Sequence, residues 1–256
     1  MKEERGMRVL FIGETWITHT VHIKGVDSFE QSGFGSGVGW IKKALESGGH
    51  EVTHLPAHQA IDAFPDEQQL TQYDVVICSD VGSNTLVLST PTMVDSRTRP
   101  NALESIRRFV AAGGGFAMIG GYMSFQGIGG KAGYAGTPIE QILPVSLQRT
   151  DDRVELPEGS VPRVVKAHPI VEGTGDAWPA VLGYNRLLPK EGGEILVRCA
   201  GDILVAAGVY ERGRTMAFAT DCAPHWAPPE FLEWPGYALF WRQAAEWLGS
   251  GKRSVS

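Results

Sequence analysis

The sequence predicts an α/β protein with a mainly parallel sheet and a late β-hairpin. Three observations carry this expectation. Apolar runs at Arg8–Gly13, Tyr73–Ser79 and Gly115–Gly120 end in glycine or a small polar residue, as strands buried on both faces do. Segments of helical spacing separate them, and such alternation implies parallel strands joined by right-handed crossovers. Late in the chain, two strand-like runs flank Glu211-Arg-Gly213, which reads as a hairpin turn.

Arg8–Gly13 is the first strand. The polar segment from Glu14 to Ser36 is long for a connection in a compact domain and reads as an ordered functional loop. Val38–Leu45 has helical spacing and stops at Gly48-Gly49. Glu51–Leu55 and Tyr73–Ser79 are the next strands. Asn101–Ala112 is an amphipathic helix with Leu103, Ile106, Phe109 and Val110 on one face, and Gly115–Gly120 is the fourth strand. Thr137-Pro-Ile-Glu140 predicts a helix start: Thr137 as N-cap, Pro138 first in the helix, Glu140 as reciprocal capping partner. Val161–Val165, Glu194–Cys199, Ile203–Tyr210 and Arg214–Thr220 read as strands, and Trp234–Leu248 as a closing helix. One domain over residues 1–256 is expected, with 249–256 a frayed tail.

The 256 residues are 43% hydrophobic with net charge −6. That balance leaves no basic footprint for nucleic acid or an anionic membrane, and no apolar run reaches the roughly 18 residues of a membrane span. The charged start, Met1-Lys-Glu-Glu-Arg5, reads as no secretory leader. Cys78, Cys199 and Cys222 form no disulfide framework, which points to a reducing, cytoplasmic compartment.

Ligands of open parallel sheets bind beyond the carboxyl ends of the strands. Those ends collect Glu14 with the following His19, His22 and Lys24; Ser79 and Asp80; Tyr122, Ser124, Gln126 and Lys131; and Asp221, Cys222 and His225. His19 or His22 serves as the acid/base, and the amides of Gly121 and Tyr122 would hold developing negative charge. Cys222 beside His225 is a candidate nucleophile or a buried core cysteine. Cys78 and Cys199 read as core. The candidate catalytic set is therefore His19, His22, Tyr122, Cys222 and His225, with Glu14, Lys24, Gly121, Ser124, Gln126, Lys131 and Asp221 binding substrate. No cofactor is expected; the histidines, with Asp221 or His225, are the set that could take a metal. The run Gly127–Gly133 lacks the spacing of a phosphate loop and reads as a flexible lid or a substrate loop, with Lys131 as its candidate anion contact. The aromatic stretch from Trp226 to Trp247 reads as core packing, with a self-association surface as the alternative.

Gly120-Gly-Tyr-Met-Ser-Phe-Gln-Gly127, Gly136-Thr-Pro-Ile-Glu140 and Thr220-Asp-Cys-Ala-Pro-His-Trp226 resemble segments of class I glutamine amidotransferase-like cytoplasmic proteins, over nearly the whole chain. The chain is more distantly similar to trehalose-utilisation-type proteins. The resemblance implies a flavodoxin-like three-layer sandwich. The family's active members carry G-x-C-x-G at the turn and H-x-E after the late strand. Here Tyr122 stands in place of the cysteine, Ser124 in place of the second glycine, and Ala227 in place of the glutamate; His225 matches the histidine. Glutamine hydrolysis by the usual route is therefore not expected. The reading is a hydrolase or lyase-type enzyme on a small polar metabolite, or alternatively a non-catalytic ligand-binding module; in either case the partner is a small molecule, within a homo-oligomer.

Overall fold

The computed structural model describes residues 6–253; the charged start at 1–5 and the last three residues of the tail lie outside them. From β1 (Arg8–Gly13) the chain runs into two long strands, β2 (Thr15–Lys24) and β3 (Asp27–Ser36). Then come α1 (Gly39–Ser47), β4 (Glu51–Leu55), α2 (Ala57–Ala63), α3 (Glu67–Leu70), β5 (Val75–Ser79), α4 (Ser83–Val87), α5 (Thr90–Asp95), α6 (Ala102–Ala111) and β6 (Gly115–Ile119). The second half holds α7 (Pro138–Ile142), β7 (Val145–Ser146), β8 (Arg153–Ser160), β9 (Arg163–Val164), β10 (Val181–Asn185), β11 (Leu188–Pro189), β12 (Glu194–Cys199), β13 (Asp202–Tyr210), β14 (Gly213–Phe218), α8 (Pro229–Leu232) and α9 (Pro235–Arg253).

An eight-stranded sheet in the order β4-β1-β5-β6-β14-β13-β12-β9 organises the molecule. Its first five strands are parallel and the last three antiparallel. The strands carry the apolar side chains the sequence offered: every residue of β5 and β6 is buried. α1 and α9 pack together on one side, and α2, α4 and α6 on the other. Neighbouring glycines make the division visible. A Cβ on Gly114 would strike the Phe109 ring of α6, and one on Gly115 would strike Leu248 of α9. β1 lies between β4 and β5, so the chain reverses its direction across the sheet at the β1/β5 boundary. Such switch points leave a crevice beyond the strand ends.

The helices form where their local signals act. Asn101 caps α6 by accepting the Leu103 N–H at 2.9 Å, and Leu103, Ile106, Phe109 and Val110 are buried. Thr137 caps α7 through the Ile139 N–H. Glu140 does not reciprocate to Thr137 as the capping pattern predicts. It accepts from Gly136 and Leu147 instead and pairs with Arg149, because the Thr137 N–H is already given to Tyr134.

Three expectations are corrected. Residues 15–36 are no loop: β2 and β3 form a ten-pair antiparallel arm outside the main sheet. Val161–Val165 shrinks to the two residues of β9. The tail is not frayed from Gly249: α9 continues to Arg253, since Lys252 donates to the carbonyls of Thr71 and Tyr73 and Gly249 packs on Met7. The aromatic stretch packs in the core, as expected. Trp226, Phe231, Tyr237, Phe240 and Trp241 are buried, so it offers little surface for self-association. Among the described residues no helix is long and apolar enough to cross a membrane.

Candidate functional site

Glu14 and Asp80 sit immediately after β1 and β5, on the two sides of the switch point. Both have left-handed backbone, with φ of 54° and 45°. For residues other than glycine this conformation costs of order 1–3 kcal/mol and clusters where surrounding structure enforces it. Here the Glu14 N–H donates to the Ser79 carbonyl at 2.9 Å, turning the Glu14 side chain inward. Its Oε2 accepts from Ser79 Oγ at 2.5 Å and from Cys222 Sγ at 3.6 Å. Its Oε1 lies against Gly37, where a Cβ would stand 2.5 Å away. Burial, followed by the nearby Asp221 charge, pushes the Glu14 carboxyl up to about 8. Burial also raises Asp80. Asp80 is held from both ends: its N–H donates to Ser124 Oγ at 3.0 Å, and Met123 N–H donates to its carboxylate at 2.6 Å.

Asp221 and Cys222 follow β14 in the same crevice. Asp221 is 5% exposed and stands 3.5 Å from Nδ1 of His225, whose side chain is 37% exposed. The hydrogen bond to Asp221 raises the His225 pKa against the lowering effect of its partial burial. Tyr122 meets the imidazole edge-on, with ring centroids 4.4 Å apart, and the ring of Trp226 stacks behind it at 5.0 Å. Glu155 of β8 ties this wall together. It accepts from Tyr122 Oη at 3.1 Å and from Trp226 Nε1 at 2.9 Å.

The glycine turn after β6 is organised from beneath by Asn185. That side chain accepts the Gly121 N–H at 3.0 Å, donates to the Gly121 carbonyl at 3.2 Å and donates to Asp152 at 2.8 Å. Asp152 in turn accepts from Gln126 N–H and Gly127 N–H. Gly121 has φ of 145°, and a Cβ there would lie 2.8 Å from Asp80 Oδ1. The turn thus lets Asp80 approach the backbone, while its Gly121 amide is already given to Asn185 and is not free to hold an oxyanion. The segment 127–133 is likewise no loose lid. Asp151 accepts the Gly129 N–H, and buried Tyr134 donates to the Val81 carbonyl at 2.6 Å.

The structure therefore gathers Glu14, Gly121, Tyr122, Ser124, Asp221, Cys222 and His225 at one crevice. It does not bring His19, His22, Lys24 or Lys131 into their contacts. His19 bonds Ser32 and pairs with Glu30, His22 stacks on Phe29, and Lys24 lies over the same ring, all within the arm. Strand residues three apart point to opposite faces, so His19 and His22 cannot share a metal. Lys131 is exposed on its loop. Gln126 turns inward, its Oε1 accepting from Ala135 N–H at 3.1 Å. Cys222 is fully buried, and burial with the Glu14 charge lifts its thiol well above the ordinary value. It has neither the exposure nor the thiolate character of a nucleophile.

A metal fits a different set: one ligand atom each of Glu14, Asp221 and Cys222 lie within 4.8 Å of one another, all buried. Glu14 Oε2 is occupied by Ser79 and Cys222, so an ion would have to displace those bonds and the protons of both acids. Asp80, Asn185, Asp152 and Glu155 were not among the residues the sequence pointed to as binding. Asp80 had a legible signal, its place directly after a strand matching that of Glu14. Asn185 and Glu155 had none, since β8 and β10 pair only with each other.

Fold and site together define an α/β protein with its polar cluster at the switch point of a mainly parallel sheet. The chain belongs to the GATase1-like family, described as "Putative glutamine amidotransferase", whose model matches residues 8–250. It is 42% identical to Cytoplasmic Protein STM3548 from Salmonella typhimurium, over 94% of this chain and 98% of that one, with a TM-score of 0.91. It is 41% identical to Cytoplasmic Protein STM1381 from Salmonella typhimurium LT2, over 94% and 99%, again with a TM-score of 0.91. A ThuA-like protein from Bacteroides uniformis shares the fold at 11% identity and a TM-score of 0.51, over 94% and 93%. Among curated proteins, none matches the chain.

Proposed function

We propose that this protein is an acid–base enzyme of hydrolase or lyase type acting on a small polar metabolite, and that it is not a glutaminase. The observation that carries the reading is the pairing of His225 with Asp221 beside two further carboxyl groups, Glu14 and Asp80, both raised by burial. Titratable groups whose surroundings push their protonation apart divide into acid and base. Glu14, at about 8, keeps its proton at neutral pH, which limits the negative charge gathered around Asp221. His225 is the group that faces solvent, and the carboxylate behind it orients the ring. It exchanges the proton with the ligand, Tyr122 walls the ligand in, and Asp80 borders it. With Tyr122 at the position of the family's cysteine and Cys222 sealed in the core, no thiol nucleophile is on offer. The free, buried cysteines and the two relatives named cytoplasmic proteins support a cytoplasmic location.

The test is a panel of small amides, esters, sugar acids and polyols incubated with the protein and followed by NMR. Turnover by the wild type that is lost in His225→Ala, with the far-UV spectrum unchanged, is the expected result. Equal rates in the variant overturn the assignment. A ligand that binds saturably and leaves chemically unchanged identifies a binding module instead.

A further inference from the structure

The crevice holds negative charge that its own residues leave uncompensated. The charges acting on Asp80 are those of Asp221 and His225, and those acting on Glu14 are Asp221 and Asp80. Neither set includes a lysine or an arginine. Arg153 comes nearest, its guanidinium 5.2 Å from the centroid of the Tyr122 ring. It is committed to both carboxylate oxygens of Asp151, at 2.7 to 3.2 Å. Carboxylates drawn out of water without a counter-charge are costly, and here one imidazole faces two of them. Bonds are also left unmade. Met123 occupies Oδ1 of Asp80, while Ser79 and Cys222 occupy Oε2 of Glu14. Asp80 Oδ2 and Glu14 Oε1 have no hydrogen-bond partner among the described residues. Glu14 is only 3% exposed, yet neither oxygen is sealed: the enclosed side-chain atoms without a partner, among the described residues, are Trp241 Nε1 and Gln243 Oε1. Glu14 keeps its proton at neutral pH, and since Oε2 already accepts two bonds, Oε1 is the oxygen left to donate.

We propose that the ligand of this crevice is a small primary amine that also carries oxygen, its ammonium held by Asp80 with Asp221 as the second charge. The proposal rests on the crevice being the substrate site. An ammonium brings three donors and no acceptor, and its bond to a carboxylate is charge-assisted. Glu14 donates from Oε1 to the ligand's oxygen, and Nε2 of His225, unpartnered among the described residues, is left for the proton exchange. A carboxylate or phosphate ligand would meet Asp80 and Asp221 as like charges, with no lysine or arginine to offset them. A quaternary ammonium needs open aromatic faces. Trp226 is buried, and Tyr122 already has His225 edge-on and the Arg153 guanidinium over its ring. A divalent metal would gather on Glu14, Asp221 and Cys222, whose ligand atoms lie within 4.8 Å of one another, and would leave Asp80 unused.

Matched probes decide this at fixed ionic strength, read through NMR shifts of the His225 imidazole. Ethanolamine, ethylene glycol and glycolate share a two-carbon frame and differ in charge; glucosamine, glucose and gluconate repeat the comparison on a larger frame. In each set the amine should bind at least about tenfold more tightly than its neutral counterpart, the scale of one hydrogen bond to a charged group, and the acid should not bind. Choline should bind more weakly than ethanolamine. Asp80→Asn, with far-UV dichroism unchanged, should remove the preference for the amine and leave the neutral probes as they were; the wild-type comparison decides by itself if the variant does not fold. Equal binding across a set, a preference for the acid or for choline, amine binding untouched by Asp80→Asn, or no response to either amine overturns the proposal. So does a crevice that takes Mg²⁺ or Zn²⁺ and neither amine. Binding is read without turnover. An amine that binds and is left unchanged therefore sinks the enzyme reading alone, while turnover of an acid sinks the substrate class and leaves the enzyme reading standing.

Discussion

Nδ1 of His225 stands 3.5 Å from Oδ2 of Asp221, four residues earlier in the strand-to-helix connection after β14. The carboxylate is buried and the imidazole partly open to solvent, so the pair joins the core of the crevice to its mouth. The hydrogen bond to Asp221 is the largest influence raising the His225 pKa. Asp221→Asn should move the imidazole titration, followed by NMR, to lower pH. An unchanged titration would mean that Glu155 and Asp80, which also raise it, govern the ring instead.

Replacing His225 by alanine should lower turnover about 100-fold or more, the usual range for loss of a proton-transfer group. His19→Ala should leave it unchanged, because His19 spends its ring nitrogens on Ser32 and Glu30 in the arm. Comparable losses in both variants would place the arm in the chemistry.

Glu14 is held at about 8, chiefly by burial, whereas an exposed glutamate titrates near 4.5. The folded protein therefore keeps a proton that the unfolded chain releases. The stability associated with that proton is full below about pH 4.5 and is lost progressively as pH climbs to about 8. Glu14→Gln should flatten this part of the pH–stability curve and gain most over the wild type near pH 8. Denaturant midpoints at several pH values measure it, and parallel curves would contradict the raised carboxyl.

All three cysteines are buried and unpaired. A thiol reagent such as Ellman's should find no reactive group in the native protein and three after denaturation, and alkylating reagents should leave turnover intact. Rapid native labelling of Cys222 would restore it as a nucleophile.

Asn185→Ala removes three hydrogen bonds, two to Gly121 and one to Asp152, from a fully buried position. A loss of about 2–4 kcal/mol is expected from the bonds and the groups left unpaired. Gly37→Ala should cost about 1–3 kcal/mol, since its Cβ would press on the Glu14 carboxyl and on Ala223. Urea titrations give both values.

Much of the fold was legible in the residues. The apolar runs of β1, β5 and β6 and the Leu103–Val110 face of α6 are patterns of period and burial, which neighbouring residues specify together. The alternation of Ile17, Val21 and Ile23 with Thr18, Thr20 and His22 was also present. It reads as polar loop because neither face of the arm enters the core. The turn at Gly25-Val26 lacks the common hairpin dipeptides, although Gly25 supplies the positive φ of 67° that a two-residue turn requires.

The sequence by itself determined the βα alternation that makes the core strands of the first half parallel, the glycine turn after β6, the absence of a cysteine there and the edge at which polar residues gather. Those follow from short-range periodicity and from which residue types lie next to strand ends. Only the tertiary structure decided that Glu14, Asp80 and Asp221 share one crevice and that Cys222 is sealed within it. It also decided that His19 and His22 leave that crevice on an arm. Burial, the sharing of the Gly121 amide with Asn185 and the pairing of Asp221 with His225 depend on segments far apart in the chain or on the path of a turn. Local pattern carries no record of either.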